Sequence, residues 1–431
     1  MTVLIAAGAF SSAIARDVDV LAYRVRIDPD LAARSLTGAE TVQVVANITG
    51  TAVLELDAGG LTIDSVTSDA GPLVFAREGK QLRVMLPATL HAGQPMDVHL
   101  TYHGKPTFGL EFHPETEQLY TIFSTSEWLP SIDAPDARAT LDLSVAVPAT
   151  FDAIGNGRMV SRTPLEHGRV LYRWQQDVPV PGFVYGFAAG RFHGVDQKAP
   201  GVSLRFLSRD LGKDQLKQVF GDTADMLAFF GDKAGTPYTG SYQQALVTDT
   251  IGQELAGFAL MSEAYGQDVL KDPTREDLIA HEAAHQWWGI RVTCESWNDF
   301  WLNEGFANFM AAAWAQHRFG DAVYDATVDR WRQRVERLVS EGKDHPLVYT
   351  QWVKPTRDDR AVVYQKGAYA LHLLRRELGE DAFWKGIRDY TRQFAGKSVT
   401  TADFRKSMEL SSGRDLSAFF ARWVTGKNAH P

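Results

Sequence analysis

A chain of 431 residues exceeds what one ordinary hydrophobic core supports and predicts two or three domains. Apolar residues make up 45% and charged residues 23% of the sequence, a balance typical of soluble globular proteins. The net charge of −9 argues against a nucleic-acid partner, because no basic block is present to neutralise phosphates. The single cysteine, Cys294, excludes an internal disulfide framework.

The chain begins with an apolar segment that carries no charge, residues 1–15. Its last three residues, Ala13-Ile14-Ala15, have the form of an A-x-A cleavage site, so the segment is predicted to be the signal peptide of a periplasmic or secreted protein. A basic start is missing, and a first strand or a tail of a cytoplasmic protein remains the alternative. Elsewhere no apolar run approaches the ~20 residues that span a bilayer, so no integral membrane segment is expected.

Residues 16–192 are predicted to form an N-terminal β domain. Short runs of alternating apolar and polar residues, such as 23–27 and 40–46, are separated by glycine-containing turn signals, as in strands with one buried face. This pattern predicts an antiparallel β-sandwich or a saddle-shaped sheet.

From residue 193 to residue 431 the pattern becomes mainly helical. Residues 213–233 have the periodicity of an amphipathic helix, and residues 241–250 have that of a strand. Further helices are predicted at residues 303–319, 323–341, 362–378, 381–393, 401–410 and 416–424. The predicted fold class is therefore α+β and multidomain, with a β domain followed by a mostly α domain.

The sequence H-E-A-A-H at residues 281–285 is a metal-site motif. On a helix, His281 and His285 project from the same face because they are about one turn apart. Glu282 lies beside that face, where it can act as general base toward a water molecule. A catalytic zinc ordinarily has three protein ligands and one open position, and Glu304 in W-L-N-E-G-F-A offers the third ligand. The motif therefore predicts one Zn²⁺ per chain.

The order of these residues resembles the aminopeptidase N family of gluzincins, in which H-E-x-x-H, 18 intervening residues and a glutamate follow one another. Residues 19–30 resemble that family's opening strands, residues 128–135 resemble its F-P-x-x-D-x-P segment, and residues 364–368 resemble its Y-E-K-G-A element. The resemblance spans nearly the whole chain. It implies a thermolysin-like catalytic domain and a zinc-dependent aminopeptidase that acts on peptides with a free N-terminus.

The resemblance also implies roles for residues outside the zinc set. Tyr364 fills the place of the hydroxyl that stabilises the oxyanion, and a core position is the alternative for this tyrosine. Glu254, in I-G-Q-E-L, stands where the G-A-M-E-N glutamate of the family binds the substrate ammonium, although the neighbouring residues have diverged. Glu127 could add a second substrate-binding carboxylate from the β domain. For Glu254 and Glu127 an ordinary loop carboxylate is the alternative.

Members of the family ordinarily continue into a large C-terminal helical domain that roofs the active site. The present sequence ends shortly after residues 415–423, which predicts a minimal form with an open cleft, or one that another subunit roofs, for example in a homo-oligomer. Other functions stay open: a zinc endopeptidase, another zinc hydrolase of the same fold, or an inactive binding module. The presence of every ligand and of the general base argues against the inactive module.

Overall fold

The protein is described by a computed structural model over residues 16–352 and 355–427. Strands predominate as far as Gly190, and a further five-stranded sheet with many helices follows. The predicted signal peptide at residues 1–15 lies outside the described residues. Within the described part, no helix is both long enough and apolar enough to cross a membrane.

The first part of the chain consists of strands joined by short turns. In chain order they are β1 (Val18–Asp30), β2 (Ser35–Ala46), β3 (Val53–Asp57), β4 (Thr62–Ser68), β5 (Gly71–Pro72), β6 (Phe75–Glu78), β7 (Gln81–Met85), β8 (Pro95–Gly104), β9 (Leu110–His113), β10 (Gln118–Thr121), β11 (Arg138–Pro148), β12 (Asp152–Gly155), β13 (Arg158–Leu165), β14 (Arg169–Pro181) and β15 (Phe187–Gly190).

These strands form three sheets in the described part of the chain. The largest has eight strands in the order β13-β14-β11-β1-β2-β8-β4-β5, and the smaller ones have the orders β12-β15-β10-β9 and β3-β7-β6. Alternate residues of β2 are buried, as the alternating sequence predicts for a strand with one face on a core. The pairing is antiparallel as predicted, except that β1 and β11 are parallel. These two strands are far apart in sequence, which leaves room for the crossover that parallel pairing requires.

The second part of the chain contains the remaining strands and all the longer helices. In chain order they are β16 (His193–Ala199), β17 (Val202–Ser208), α1 (Lys213–Val219), α2 (Thr223–Ala234), β18 (Gly240–Val247), β19 (Gly252–Leu255), β20 (Phe258–Ser262), α3 (Glu263–Lys271), α4 (Asp277–Ala284), β21 (Val292–Cys294), α5 (Trp301–Phe319), α6 (Asp321–Ser340), α7 (Arg357–Ala361), α8 (Gly367–Leu378), α9 (Glu380–Gln393), β22 (Lys397–Val399), α10 (Thr401–Ser412) and α11 (Ser417–Trp423).

A five-stranded sheet in the order β16-β17-β18-β20-β19 borders the helices. The strand β19 is at its edge and pairs antiparallel with β20. Helix α4 packs against β19 on one side and against α5 on the other. The tryptophans that flank the metal motif, Trp287, Trp288 and Trp301, are buried in the same hydrophobic core. They fix α4 and α5 relative to each other and hence the residues that these helices carry.

Two predicted helices differ from the structure. The helix predicted at 213–233 is divided into α1 and α2, and Gly221 lies at the break. Glycine has a low helix propensity because its backbone is the most flexible. The helix predicted at 362–378 begins with a π-helical turn, Val362–Lys366, and the regular helix α8 starts only at Gly367. Before the metal motif, Asp272 caps a separate 3₁₀ turn, Pro273–Arg275, in which its side chain accepts a hydrogen bond from the Thr274 amide. The metal helix α4 begins only at Asp277.

Hydrogen bonds join the β domain to the helical domain close to the metal motif. Arg138 of β11 donates to the carbonyl of Ile290 at 2.8 Å. Asn156 donates to the carbonyl of Ala256 at 2.9 Å, which lies one residue beyond β19. The β domain thus supports both the edge strand and the turn that follows α4.

Candidate zinc site and active site

Helix α4 places the two histidines of the motif side by side. The helix ends at Ala284, and His285 follows with helical backbone angles (φ −57°, ψ −22°). Its amide donates to the carbonyl of His281 at 3.3 Å, so the turn continues through it. The two Nε2 atoms lie 3.1 Å apart. Both rings therefore point to one place, as the four-residue spacing predicts.

Glu304 completes this set from the first turn of α5. Its Oε2 lies 3.3 Å from Nε2 of His281 and 3.5 Å from Nε2 of His285. Ligand atoms at about 2.0–2.2 Å from a tetrahedral zinc lie about 3.3–3.6 Å apart. The three ligand atoms are 3.1–3.5 Å apart, close to the spacing of one zinc ligand set, and all three side chains are buried.

The polar groups around this set fit a dication. Oε2 of Glu304 and Oε2 of Glu282 are buried and accept no hydrogen bond, which would be costly without a positive partner. A third buried carboxylate, Glu254, lies next to them. Among the described ion pairs, none joins these three carboxylates to a lysine or an arginine. A bound Zn²⁺ would offset this concentration of negative charge.

The charges of the site act strongly on its titratable groups. Burial opposes the charged forms, but the neighbouring carboxylates raise the pKa of His285 to about 10. The positive charge of His285 in turn lowers the pKa of Glu304 to about 2, against the effect of burial. Burial raises the pKa of Glu282 well above its ordinary value and that of Glu254 to about 7. The carboxylates thus create a negative potential at His285, which favours binding of a cation, whereas burial lowers the pKa of His281 and favours its neutral form.

Each histidine is oriented by a hydrogen bond on its other ring nitrogen. Nδ1 of His281 contacts Oδ1 of Asn308 at 3.1 Å, and Nδ1 of His285 contacts the carbonyl of Trp288 at 3.0 Å. Both partners are acceptors, so each Nδ1 carries a proton and Nε2 is the ring nitrogen that faces the metal position. Sequence reasoning missed Asn308, although its position four residues after Glu304 places it on the same face of α5.

We expect Asn308→Ala to weaken zinc binding by about 10- to 100-fold, because His281 loses the acceptor that fixes its ring and tautomer. The dissociation constant can be measured by competition with a chromophoric chelator. Asn308→Asp keeps an acceptor and is the matched control, with an affinity near that of the wild type. An unchanged affinity in Asn308→Ala would show that the ring of His281 is fixed by packing alone.

The edge strand β19 brings Glu254 to the same place. Ligand atoms of Glu254, Glu282 and His285 all lie within 4.8 Å of one another. The Glu254 carboxylate accepts a hydrogen bond from Nε2 of Gln253 at 3.1 Å. Gly252 permits the close approach of strand and helix, since a Cβ atom there would lie 2.6 Å from Oε1 of Glu282. Glu254 is therefore a buried carboxylate beside the metal set and the general base, not a solvent-facing loop residue.

Tyr364 reaches the site from a π-helical turn, Val362–Lys366, between α7 and α8. Such turns interrupt α-helices preferentially at functional sites. The ring of Tyr364 stacks on that of His281, with a centroid separation of 6.2 Å and an interplanar angle of 6°. Burial and the nearby carboxylates keep the pKa of Tyr364 well above its usual range, so its hydroxyl stays a donor. Lys366 anchors the turn through a fully buried ion pair with Asp344 at 2.7 Å.

Glu127 is in a different setting from the one that the sequence suggested. Its carboxylate pairs with Lys80 at 2.6 Å and accepts a hydrogen bond from the amide of Gly60 at 3.0 Å. A carboxylate engaged in this way holds a loop of the β domain together. The structure therefore does not bring Glu127 together with Glu254, and its assignment to the substrate pocket has no support in this geometry.

Fold and site together define the class of H-E-x-x-H zinc metallopeptidases. Two family profiles match the chain: the Peptidase M1 N-terminal domain over residues 20–184 and the Peptidase family M1 domain over residues 258–423. The chain belongs to the M1 peptidase family, which contains the aminopeptidase N relatives that its sequence resembles.

Similar proteins differ in how much of their length the chain matches. It is 25% identical to leukotriene A-4 hydrolase of Xenopus laevis, over 89% of this chain and 66% of the relative. It is 25% identical to aminopeptidase N of Lactococcus lactis subsp. lactis, over 93% of this chain and 50% of the relative. The chain thus spans about half to two-thirds of the length of these two curated relatives.

One solved structure matches almost from end to end. It is an M1 zinc metallopeptidase from Deinococcus radiodurans, a glutamate-to-alanine variant with a bound Tyr-Ser-Ala substrate. Its TM-score is 0.83 at 26% identity, and the match covers 96% of this chain and 95% of that one. The β domain and the catalytic domain together therefore have the extent of a solved member of the family.

Proposed function

We propose that the protein is a zinc-dependent aminopeptidase that removes N-terminal residues from peptides. The observation that carries this proposal is the position of Glu254, whose carboxylate lies within 4.8 Å of ligand atoms of Glu282 and His285. A buried carboxylate at this distance can bind the free ammonium of a substrate while the first peptide bond lies at the metal. The aminopeptidase relative within the same family supports the proposal.

The zinc residues and the general base divide the chemistry among them. Zn²⁺, when bound by His281, His285 and Glu304, supplies a Lewis acid for the scissile carbonyl and for the attacking water. Glu282 accepts a proton from that water at Oε2, which is buried and accepts no other hydrogen bond, and then delivers the proton to the leaving amine. The Tyr364 hydroxyl donates to the developing oxyanion.

The edge strand gives the substrate its direction. One side of β19 pairs with β20, and an extended peptide can add along the other side of such a strand. The amino end of the peptide then meets Glu254, and the chain after the scissile bond leads toward α5 and Tyr364. This arrangement fixes which bond is cut, because the ammonium cannot lie at Glu254 when an internal bond is at the metal.

The alternative within the same fold is a zinc endopeptidase or another zinc hydrolase. The decisive experiment compares one peptide with a free and with an acetylated amino terminus, each with and without o-phenanthroline. We expect chelator-sensitive release of the first residue from the free peptide only. Equal cleavage of both forms would exclude an aminopeptidase, and no cleavage of either form would favour an inactive module or a non-peptide substrate.

We expect Glu254→Ala to lower kcat/KM for free peptides at least tenfold, because a desolvated carboxylate–ammonium contact is worth about 2–5 kcal/mol on truncation. The variant should also narrow the difference between free and acetylated peptides, since the acetyl group no longer meets a buried negative charge. Initial rates on both peptides measure the two effects.

The isosteric variant Glu254→Gln separates charge from shape. It should lose about as much activity as Glu254→Ala if the charge binds the ammonium, and zinc content should stay the same in both. If Glu254→Ala keeps its full activity on free peptides, Glu254 does not bind the substrate ammonium.

We further propose that the protein is exported. The charge-free segment at residues 1–15 and its A-x-A sequence support this proposal. N-terminal sequencing of protein recovered from the extracytoplasmic fraction tests it. Recovery in the cytoplasm with residues 1–15 intact would exclude export.

A further inference from the structure

A basic cavity of about 1020 Å³ opens beside Tyr364. Five arginines line it, and none of its described lining residues is acidic: Arg330, Arg334, Arg337, Arg357 and Arg360. This local charge is opposite in sign to the net charge of the chain, which is −9. A concave surface with one sign of charge concentrates the field and attracts ligands of the opposite sign.

Helix geometry explains why the arginines converge. On α6, Arg330, Arg334 and Arg337 follow one another at intervals of four and three residues, so they share one face. On α7, Arg357 and Arg360 are three residues apart and also share a face. Helix α6 and helix α7 both pack against the π-helical turn that carries Tyr364, and this turn brings the two basic faces to one cavity.

Most of this charge has no partner in the described part of the chain. Arg334 pairs with Asp358 at 2.8 Å, and Asp358 is shared with Lys343 at 3.0 Å. For Arg337, Arg357 and Arg360, the described residues offer no ion pair, and these side chains are exposed. Like charges on one helix face are mutually destabilising. Guanidinium groups arranged in this way are free to bind an anion.

The cavity is continuous with the active site. Tyr364 and Asn308 line it, and both contact His281, through ring stacking and through the hydrogen bond to Nδ1. The elements pack in the order β19, α4, α5, and then the π-helical turn with α6. Glu254 on β19 contacts the metal site from the side of α4, and the arginines on α6 and α7 approach it from the side of α5 and the π-helical turn. An acidic pole and a basic pole thus flank the helices that carry the metal ligands.

We infer that the arginine cavity binds a carboxylate on the part of the peptide that follows the scissile bond. The inference rests on the proposed aminopeptidase function, which places the free ammonium of the substrate at Glu254. The carboxylate comes either from the C-terminus of a short peptide or from an aspartate or glutamate side chain. Guanidinium groups bind both in the same bidentate way. The enzyme thus selects short or acidic peptides, whose two charges match the two poles.

The test compares peptides that differ in one charge. The zinc-loaded full chain is assayed on Leu-Gly-Gly, on its C-terminal amide, and on the amides Leu-Gly-Glu-NH₂ and Leu-Gly-Gln-NH₂. We expect kcat/KM to be about tenfold higher for the free acid than for its amide. This is the contribution of one hydrogen bond between charged groups, reduced because the arginines are exposed to solvent. The preference should shrink in 0.5 M KCl, where the Debye length is about 4 Å. A higher rate for the Glu than for the Gln amide identifies the side chain as a second source of the carboxylate.

The variant Arg337→Gln/Arg360→Gln tests whether the arginine cavity causes the preference for the free acid over the amide. We expect its acid-to-amide ratio to fall to about one. The matched control, Arg332→Gln/Arg376→Gln, removes the same charge from α6 and α8 outside the cavity lining and should keep the wild-type ratio. Equal rates for acid and amide in the wild type would overturn the inference, and so would a ratio that survives in Arg337→Gln/Arg360→Gln.

A binding measurement separates this inference from the proposed function. In the variant Glu282→Gln, calorimetric titration with Leu-Gly-Gly and with its amide reports affinity without turnover. Tighter binding of the acid supports the arginine cavity even if the wild type releases no leucine, in which case the aminopeptidase proposal alone fails. Equal affinities for the acid and the amide, together with leucine release by the wild type, would support the aminopeptidase function and would show that the cavity does not bind the substrate carboxylate.

Discussion

The variant Glu282→Gln is expected to bind zinc like the wild type and to lose on the order of 10²–10⁴-fold in kcat, the contribution of a well-placed general base. Glutamine has the shape of glutamate but cannot accept the proton of the attacking water. The Glu282 side chain is 2% exposed and lies close to Gly252 at the edge strand. No other carboxylate of the site combines this burial with a free oxygen outside the ligand set.

Metal content and turnover have to be measured on the same preparation. Zinc is determined by atomic spectroscopy, and kcat is determined on a leucine fluorogenic amide. Glu276→Gln is the matched control, because Glu276 is also buried and immediately precedes α4. Its carboxylate accepts a hydrogen bond from the indole of Trp314 at 2.6 Å and is not one of the metal-site carboxylates. It should keep kcat within a few-fold. More than about a tenth of wild-type turnover in Glu282→Gln would mean that the base is another group, with Glu254 as the next candidate.

The zinc set could be predicted from the sequence because its geometry is local. His281 and His285 are one helical turn apart, and a helix of any orientation places them together. The third ligand, Glu304, is expected because a catalytic zinc needs one more protein ligand, and the packing of α5 on α4 brings it to the two histidines. The alternation in β2 is local in the same way, since every second residue of a strand faces the core.

Features that depend on packing between distant elements could not be read from the sequence. The parallel pairing of β1 with β11 joins strands that are far apart in the chain. The ion pair of Glu127 with Lys80 depends on how two loops of the β domain fold back on each other. The arginine cavity has no motif either, because its two basic faces belong to separate helices that meet only at the π-helical turn.

That turn is also why Tyr364 could not be placed by periodicity. In a regular helix, the residues around position 364 would follow the 3.6-residue repeat, and Tyr364 would rotate away from its observed place by part of a turn. The structure instead widens the helix over Val362–Lys366. The buried pair of Lys366 with Asp344 stabilises this local conformation. Sequence similarity could assign the tyrosine a role, but only the structure shows its ring against His281.

Tyr364→Phe is expected to lower kcat by about 10²–10³-fold with a small change in KM, the effect of removing one oxyanion donor. The phenyl ring preserves the stacking on His281, so zinc content and the thermal midpoint of unfolding should stay close to those of the wild type. Steady-state kinetics on a neutral tripeptide amide measures the effect without a contribution from the arginine cavity.

The alternative for Tyr364 is a tyrosine that only packs. Tyr369→Phe tests this difference on the same helical segment, because Tyr369 is buried and stacks on His372 at 6.0 Å, away from the metal ligands. It should leave kcat unchanged. A Tyr364→Phe variant that loses thermal stability but keeps kcat would assign Tyr364 to packing. The oxyanion would then have only the metal as its partner, and the widened helix at Tyr364 would serve to line the arginine cavity instead of to place a donor.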